Sequence, residues 1–135
     1  GKSNQAKSGL SDAPIRWLKD DVITFLEKEI RRKSTYDCII MDPPAFGRGP
    51  DGETFNIKND LEKLIALAAR VLSKDPVFLI LNQYPKNIDG ETCEELLRNK
   101  FKTMQLSKHT LEITEKDSKR RLNCATAFIL VPLKK

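Results

Sequence analysis

Two consecutive prolines directly after an apolar run are the feature that most limits the fold of this chain. Residues 36–41 read Tyr-Asp-Cys-Ile-Ile-Met, and Asp42, Pro43, Pro44, Ala45 and Phe46 follow them. Because proline has no N–H donor and a fixed φ, the pair ends a strand formed by the run and stiffens the backbone beyond it. A short, continuously apolar strand is typical of a parallel sheet covered on both faces. The run therefore predicts a buried strand of an open α/β sheet, with Asp42 at its carboxyl end.

The rest of the chain alternates between helix-like and strand-like segments. Apolar residues at helical spacing predict helices over residues 21–32, 60–72 and 91–101, the first with Asp20 as a plausible N-cap. Short apolar or alternating runs predict strands over 13–19, 36–41, 77–81, 104–114 and 124–133. Segments rich in glycine, proline or charge predict loops over 47–56, 82–90 and 115–121. This order predicts one doubly wound α/β domain over residues 1–135 that ends in an antiparallel hairpin.

Composition excludes several classes of protein. No apolar run approaches the length of a membrane span, so we expect no membrane partner. The cysteines are few and unevenly spaced, which argues against a disulfide framework and a structural metal site and favours the reducing cytoplasm: Cys38, Cys93 and Cys124. The formal net charge of +5 permits a polyanionic partner without requiring one.

The residues at 42–46 suit a flat, polar ligand. Open α/β sheets bind ligands at the carboxyl ends of their strands, where Asp42 is predicted to lie. Its carboxylate accepts hydrogen bonds, and Phe46 offers a flat face for stacking. Together they predict a nucleobase site. The structural alternative is a strand end with a capping aspartate and a rigid turn.

The segment Asp-Pro-Pro-x-Phe at residues 42–46 resembles a motif of class I S-adenosylmethionine-dependent methyltransferases. The longer segments 36–52 and 14–27 are similar to the bacterial group that includes ribosomal RNA large-subunit methyltransferases. The resemblance implies a Rossmann-like fold, S-adenosylmethionine as the methyl donor and a base nitrogen of RNA as the target. It also implies a catalytic set in which Asp42 and the Pro43 carbonyl accept from the base, Pro44 keeps the turn rigid and Phe46 stacks.

The same resemblance suggests further site residues. In the family, an acidic residue after the third strand accepts from the adenine of the cofactor, and Asp21, with Asp20 beside it, matches that position. Both are equally well explained as helix caps. Arg48 at the pocket mouth and Asn82 after the next buried strand are predicted to contact substrate. Relatives that methylate cytosine carbon-5 have a cysteine just after the fifth strand, where this chain has Asn82 and Gln83, which favours nitrogen methylation.

Two family elements are missing from this sequence. The family sheet has the order 3-2-1-4-5-7-6, and this chain supplies strands 3–7, without the first two strands and their glycine-rich turn. We therefore expect the C-terminal part of a catalytic domain, inactive alone, partnered by the missing N-terminal half or by a strand-swapped second copy. Alone, the 13–19 strand has to pair directly with another strand, move aside or swap. The alternatives are a non-catalytic α/β module that binds RNA or protein, and methylation of a protein or small molecule.

Overall fold

The computed structural model describes residues 1–84 and 88–133, and these form an α/β fold. The predicted loop at 82–90 lies partly outside the described residues. The elements, in chain order, are α1 (Lys2–Lys7), α2 (Val22–Arg32), β1 (Cys38–Met41), β2 (Phe46–Arg48), β3 (Thr54–Asn56), α3 (Ile57–Val71), β4 (Phe78–Gln83), α4 (Gly90–Lys100), β5 (Met104–Thr114) and β6 (Arg121–Pro132). Within the described part of the chain, no helix is long and apolar enough to cross a membrane.

The main sheet has four strands in the order β1-β4-β6-β5. β1 and β4 are parallel, whereas β6 runs antiparallel to both β4 and β5. This arrangement corresponds to family strands 4-5-7-6, so the predicted fold class and the C-terminal antiparallel hairpin are confirmed. Because β1 and β4 are parallel neighbours, their carboxyl ends meet at the same edge of the sheet.

The three longer helices form where the apolar spacing predicts them. They pack with one face of the sheet into a single core, in which Leu61, Leu79, Leu97 and Phe128 are almost fully buried. α3 begins earlier than predicted because the Asn56 side chain caps it by accepting from the backbone N–H of Lys58 at 3.1 Å.

The predicted strand at residues 13–19 is wrong, since the segment joins no strand in the structure. Strands form only with a hydrogen-bonding partner, and the partner of β1 is β4. The segment is tied to α1 instead. Gln5 accepts from the Trp17 indole N–H at 2.7 Å and donates from Nε2 to the carbonyls of Leu10 and Ala13 at 2.9 and 3.2 Å. Of the three alternatives given for an isolated chain, direct pairing of this segment with another strand does not occur.

The predicted loop at residues 47–56 is also wrong, because it contains most of a β-hairpin. β2 and β3 pair antiparallel with Gly47 opposite Phe55, and the Gly49 N–H donates to the Glu53 carbonyl at 2.8 Å. The glycines and proline that suggested a loop occupy only its turn. Gly52 there has a φ of +93°, a conformation that glycine adopts without strain.

β1 is covered on one face only, contrary to its prediction as a strand buried on both. Met41 faces the core and is 7% exposed, whereas Ile40 is 65% exposed and Cys38 is also exposed. The reason is that the helices pack on one face of the sheet. Within the described residues, β1 also has one unpaired edge.

Candidate functional site

A cavity of about 300 Å³ lies at the carboxyl end of β1. Its walls come from the start of α2, the end of β1, the β2–β3 hairpin and α3. The lining residues are Asp20, Asp21, Val22, Ile40, Met41, Asp42, Pro43, Pro44, Gly47, Arg48, Gly49, Phe55 and Leu64. Three carboxylates and one guanidinium therefore surround an otherwise apolar space.

The two prolines fix how Asp42 enters this cavity. Asp42 comes directly after Met41, the last residue of β1, and remains exposed. Pro43 is buried and Pro44 is exposed. Since neither proline offers an N–H to a ladder, the chain leaves the sheet at Asp42. The carboxylate is thus held at a strand end and open to a ligand.

A second side chain reaches Asp42 from the neighbouring strand. The hydroxyl of Tyr84, the first residue after β4, donates to Oδ1 of Asp42 at 2.9 Å. This hydrogen bond and the negative charge of Asp42 raise the pKa of Tyr84 above its ordinary value. Tyr84 therefore stays a protonated donor through neutral pH.

The β2–β3 hairpin forms the wall opposite Asp42. Phe55 is 7% exposed and presents an aromatic ring at this wall. Gly47, which pairs with Phe55, lies close to Pro44: a Cβ at Gly47 would be 3.6 Å from Pro44 Cγ. At Gly49 a Cβ would meet the carboxylate of Glu53, the far end of a flexible side chain that would have to move aside. The hairpin thus packs against Pro44 next to the strand end.

Arg48 supplies the positive charge of the cavity. It is the last residue of β2, and its side chain is exposed. Within residues 1–84 and 88–133, no ion pair involves Arg48. Its guanidinium therefore remains available to an anionic group of a ligand.

The two acidic residues before α2, Asp20 and Asp21, make different contacts. Asp21 is the N-cap, accepting from the Thr24 N–H through Oδ1 at 2.8 Å, so the prediction of Asp20 as the cap is wrong. Asp20 accepts from the Asp21 N–H at 3.0 Å and pairs with Lys28 at 3.1 Å. One carboxylate oxygen of Asp21 is left for a ligand, beside the exposed apolar side chains of Val22 and Ile40.

The structure thus gathers six of the predicted site residues around one cavity: Asp20, Asp21, Asp42, Pro43, Pro44 and Arg48. Two predicted site residues, Phe46 and Asn82, do not line the cavity. Phe46 begins β2 and is 54% exposed, while Asn82 lies on β4, paired with Ala127 and partly buried.

The sequence analysis missed Phe55 and Tyr84. Phe55 was assigned to a loop, although Thr54-Phe55-Asn56 has strand-forming residues directly before a helix. Tyr84 follows the second buried strand as Asp42 follows the first. The rule that placed Asp42 at the edge of the sheet would have placed Tyr84 there too.

Comparisons with known proteins agree with this fold. No family model matches the chain. It is 33% identical to ribosomal RNA large subunit methyltransferase K/L of Syntrophotalea carbinolica over 97 residues, which are 70% of this chain and 13% of that protein. It is 23% identical to ribosomal RNA large subunit methyltransferase K of Neisseria meningitidis serogroup B over 111 residues, which are 82% of this chain and 30% of that protein.

A solved structure extends the likeness to nearly the whole chain. The crystal structure of a SAM-dependent methyltransferase from Agrobacterium tumefaciens superposes with a TM-score of 0.90 and 32% sequence identity. The superposition covers 98% of this chain and 44% of that one. The chain thus spans less than half the length of each of these relatives.

Proposed function

We propose a methyl-transfer function for this chain, from the premise that it is related to a part of the class I S-adenosylmethionine-dependent methyltransferases. The methyl donor is S-adenosylmethionine, and the acceptor is a base nitrogen in RNA; the relatives' names suggest ribosomal RNA as the substrate. The proposed location is the cytoplasm. The observation that carries the proposal is the exposed Asp42 carboxylate, held at a strand end by two prolines, in a cavity with Arg48.

The geometry suits recognition of a base with an amino or ring N–H group. Asp42 accepts a hydrogen bond from that group, and the Pro43 carbonyl is a second acceptor beside it. Such bonds draw lone-pair density toward the nitrogen that forms the new bond to carbon. The chain's main contribution is positioning, which supplies a large part of the rate in reactions of this kind. Arg48 pairs with a phosphate of the same nucleotide.

S-adenosylmethionine supplies an electrophilic methyl group when bound. The residues present fit its adenine part: Asp21 has one carboxylate oxygen free of the helix cap, and Val22 and Ile40 offer exposed apolar surface beside it. Asp20 contributes charge at the same wall, although Lys28 neutralises part of it.

Two proposed contacts rest on side chains outside the lining of the cavity. Phe46 is exposed at the start of the hairpin, where its ring is free to stack on a base that enters past Arg48. Asn82 lies one residue beyond Leu81, the partner of Met41, so it sits beside Asp42 along the edge of the sheet. Phe46 and Asn82 therefore contact the substrate as it enters the cavity and do not form the bottom of the cavity.

The open edge and face of β1 support a partner for this chain. Exposed apolar side chains near β1 include Ile40 and Val22, and Leu18 lies beside Val22. We propose that the chain is the C-terminal portion of a catalytic domain and that an N-terminal half, or a second copy, covers this surface. The isolated 135-residue chain is then inactive and binds S-adenosylmethionine weakly. A micromolar affinity of the isolated chain for S-adenosylmethionine, measured by calorimetric titration, would contradict this proposal.

The main experiment measures transfer of a labelled methyl group from S-adenosylmethionine to large-subunit ribosomal RNA, followed by nucleoside mass spectrometry. The assay uses the protein that contains residues 1–135 together with its donor-binding partner region. Asp42→Asn should lower the rate about 100-fold, because it removes the charge of the acceptor at the reacting base. The matched control is Asp75→Asn at the opposite edge of the sheet, which should act as the unaltered protein does.

The nature of the product decides between the possible functions. A base N-methyl product supports the proposal, whereas 5-methylcytosine would overturn nitrogen as the target. Label in protein or a small molecule, and none in RNA, would overturn RNA as the substrate. Binding of RNA with no transfer by the unaltered protein would favour a non-catalytic module.

A further inference from the structure

Tyr84 contacts Asp42 from outside the cavity. The two residues follow neighbouring parallel strands, β4 and β1, which places both at one edge of the sheet. The Tyr84 hydroxyl donates to Oδ1 of Asp42 at 2.9 Å, but Asp42 lines the cavity and Tyr84 does not. The tyrosine is therefore bonded to the proposed acceptor without occupying the space where a ligand binds.

We propose that Tyr84 is a positioning residue, whose hydroxyl fixes the Asp42 carboxylate so that its second oxygen serves the substrate. This inference rests on the proposed function and adds a residue to it. No other hydrogen bond from a described residue reaches the Asp42 carboxylate, so Tyr84 supplies the restraint on its rotation.

An exposed aspartate needs such a restraint. Its carboxylate turns about two single bonds, and each rotamer points the acceptor oxygens in another direction. A hydrogen bond to a charged group is among the stronger ones in proteins, and it selects the rotamer in which Oδ1 faces the tyrosine. The remaining oxygen then has one direction, which matters because small misplacements of reacting groups are costly.

Among the described residues, the titratable groups that act on Tyr84 are Asp42, directly after β1, and Cys124 of β6. The hydrogen bond to Asp42 contributes most to the raised pKa of Tyr84, followed by the charge of Asp42. Tyr84 therefore reports on the pair by its own titration, independently of any catalytic activity.

The first arm of the test follows the ionisation of the phenol by ultraviolet absorbance. The chain has two tyrosines, so the difference between the unaltered protein and Tyr84→Phe isolates the titration of Tyr84. Asp42→Asn should shift that titration to lower pH, since it removes the charge that disfavours the phenolate. An unchanged titration of Tyr84 in Asp42→Asn would overturn the contact.

The second arm measures the kinetics of methyl transfer. Tyr84→Phe should lower kcat by about tenfold, a factor that corresponds to the free energy of one hydrogen bond to a charged group. The KM for S-adenosylmethionine should remain unchanged. The matched control is Tyr36→Phe, which removes the other phenol–carboxylate bond, to Glu29 of α2, at a residue that does not line the cavity, and it should keep kcat.

The outcomes separate this inference from the proposed function. If the unaltered protein transfers methyl groups and Tyr84→Phe has the same kcat, Tyr84 does not position Asp42. An equal loss of kcat in Tyr84→Phe and Tyr36→Phe would indicate general destabilisation and would also overturn the role. If the unaltered protein transfers no methyl group, the proposed function fails, and the role of Tyr84 fails with it even if the titration arm confirms the contact.

Discussion

The hydroxyl of Tyr36 donates to Oε2 of Glu29 at 2.6 Å and so joins α2 to the start of the strand that carries Asp42. Glu29 is 6% exposed, and its other oxygen accepts from Arg32 at 2.8 Å. The backbone N–H of Tyr36 also donates to the Val71 carbonyl at the end of α3, at 2.8 Å. One tyrosine thus connects two helices to the segment that leads into β1.

Replacement of Tyr36 by phenylalanine should therefore destabilise the fold without altering the site. The buried Glu29 carboxylate loses one of its two donors, while the aromatic ring and its packing remain. We expect a fall of about 3 °C in the midpoint of thermal unfolding. Thermal scans followed by circular dichroism measure it, and an unchanged midpoint would show that the bond contributes nothing to stability.

The same cluster predicts a particular response to acid. The hydrogen bonds from Tyr36 and Arg32 lower the pKa of Glu29 from an ordinary 4.5 to about 2. A carboxyl whose pKa is lower in the folded state stabilises the protein above its unfolded pKa and loses that contribution as the pH falls through the folded value. Glu29 therefore stabilises the fold at neutral pH, and this contribution disappears between about pH 4.5 and pH 2.

Glu29→Gln tests this response to acid. Urea unfolding at a series of pH values should give a variant that is less stable than the unaltered protein at pH 7. The difference should shrink below about pH 4.5 and become small as the pH falls through about 2, where Glu29 of the folded protein takes up its proton. A difference that stays constant down to pH 2 would mean that the charge of Glu29 is not involved.

Local sequence patterns were sufficient for the elements that are determined by residues close together in the sequence. Leu61, Leu64 and Val71 recur at helical spacing, and all three are buried in α3. β1 ends at Met41, just before Asp42 and the two prolines, as the sequence predicts. Asp42 and Arg48 line one cavity because β2, which ends at Arg48, follows closely after the end of β1.

The failures came from partners that a local pattern does not reveal. Residues 13–19 have strand-like composition but pair with no strand, and Ile40 is apolar but exposed because the sheet is covered on one face. In the hairpin, Gly52 signals a turn correctly, yet the pairing of Gly47 with Phe55 depends on residues eight positions apart. The Tyr84–Asp42 bond spans 42 positions.

Asp21 allows its two possible roles to be separated by substitution. Asparagine is as good an N-cap as aspartate, so Asp21→Asn should preserve stability, whereas Asp21→Ala should cost about 1 kcal/mol. If Asp21 also binds the adenine of the donor, both variants weaken the binding of S-adenosylmethionine to the donor-competent protein. Urea unfolding and calorimetric titration measure the two effects. If Asp21→Asn binds S-adenosylmethionine as tightly as the unaltered protein does, Asp21 acts only as a helix cap.

Phe46 and Phe55 should give opposite results when each is replaced by alanine. Phe55 is 7% exposed and packs in the hydrophobic core, so Phe55→Ala should lower the free energy of unfolding by about 3 kcal/mol or more. Phe46 is 54% exposed, so Phe46→Ala should leave stability nearly unchanged and instead raise the KM for RNA about tenfold through the loss of stacking on a base. Phe46→Tyr keeps the aromatic face and should retain the original KM. Urea unfolding and initial rates of methyl transfer distinguish the two residues, and an unaltered KM in Phe46→Ala would remove Phe46 from the substrate site while leaving Asp42 in it.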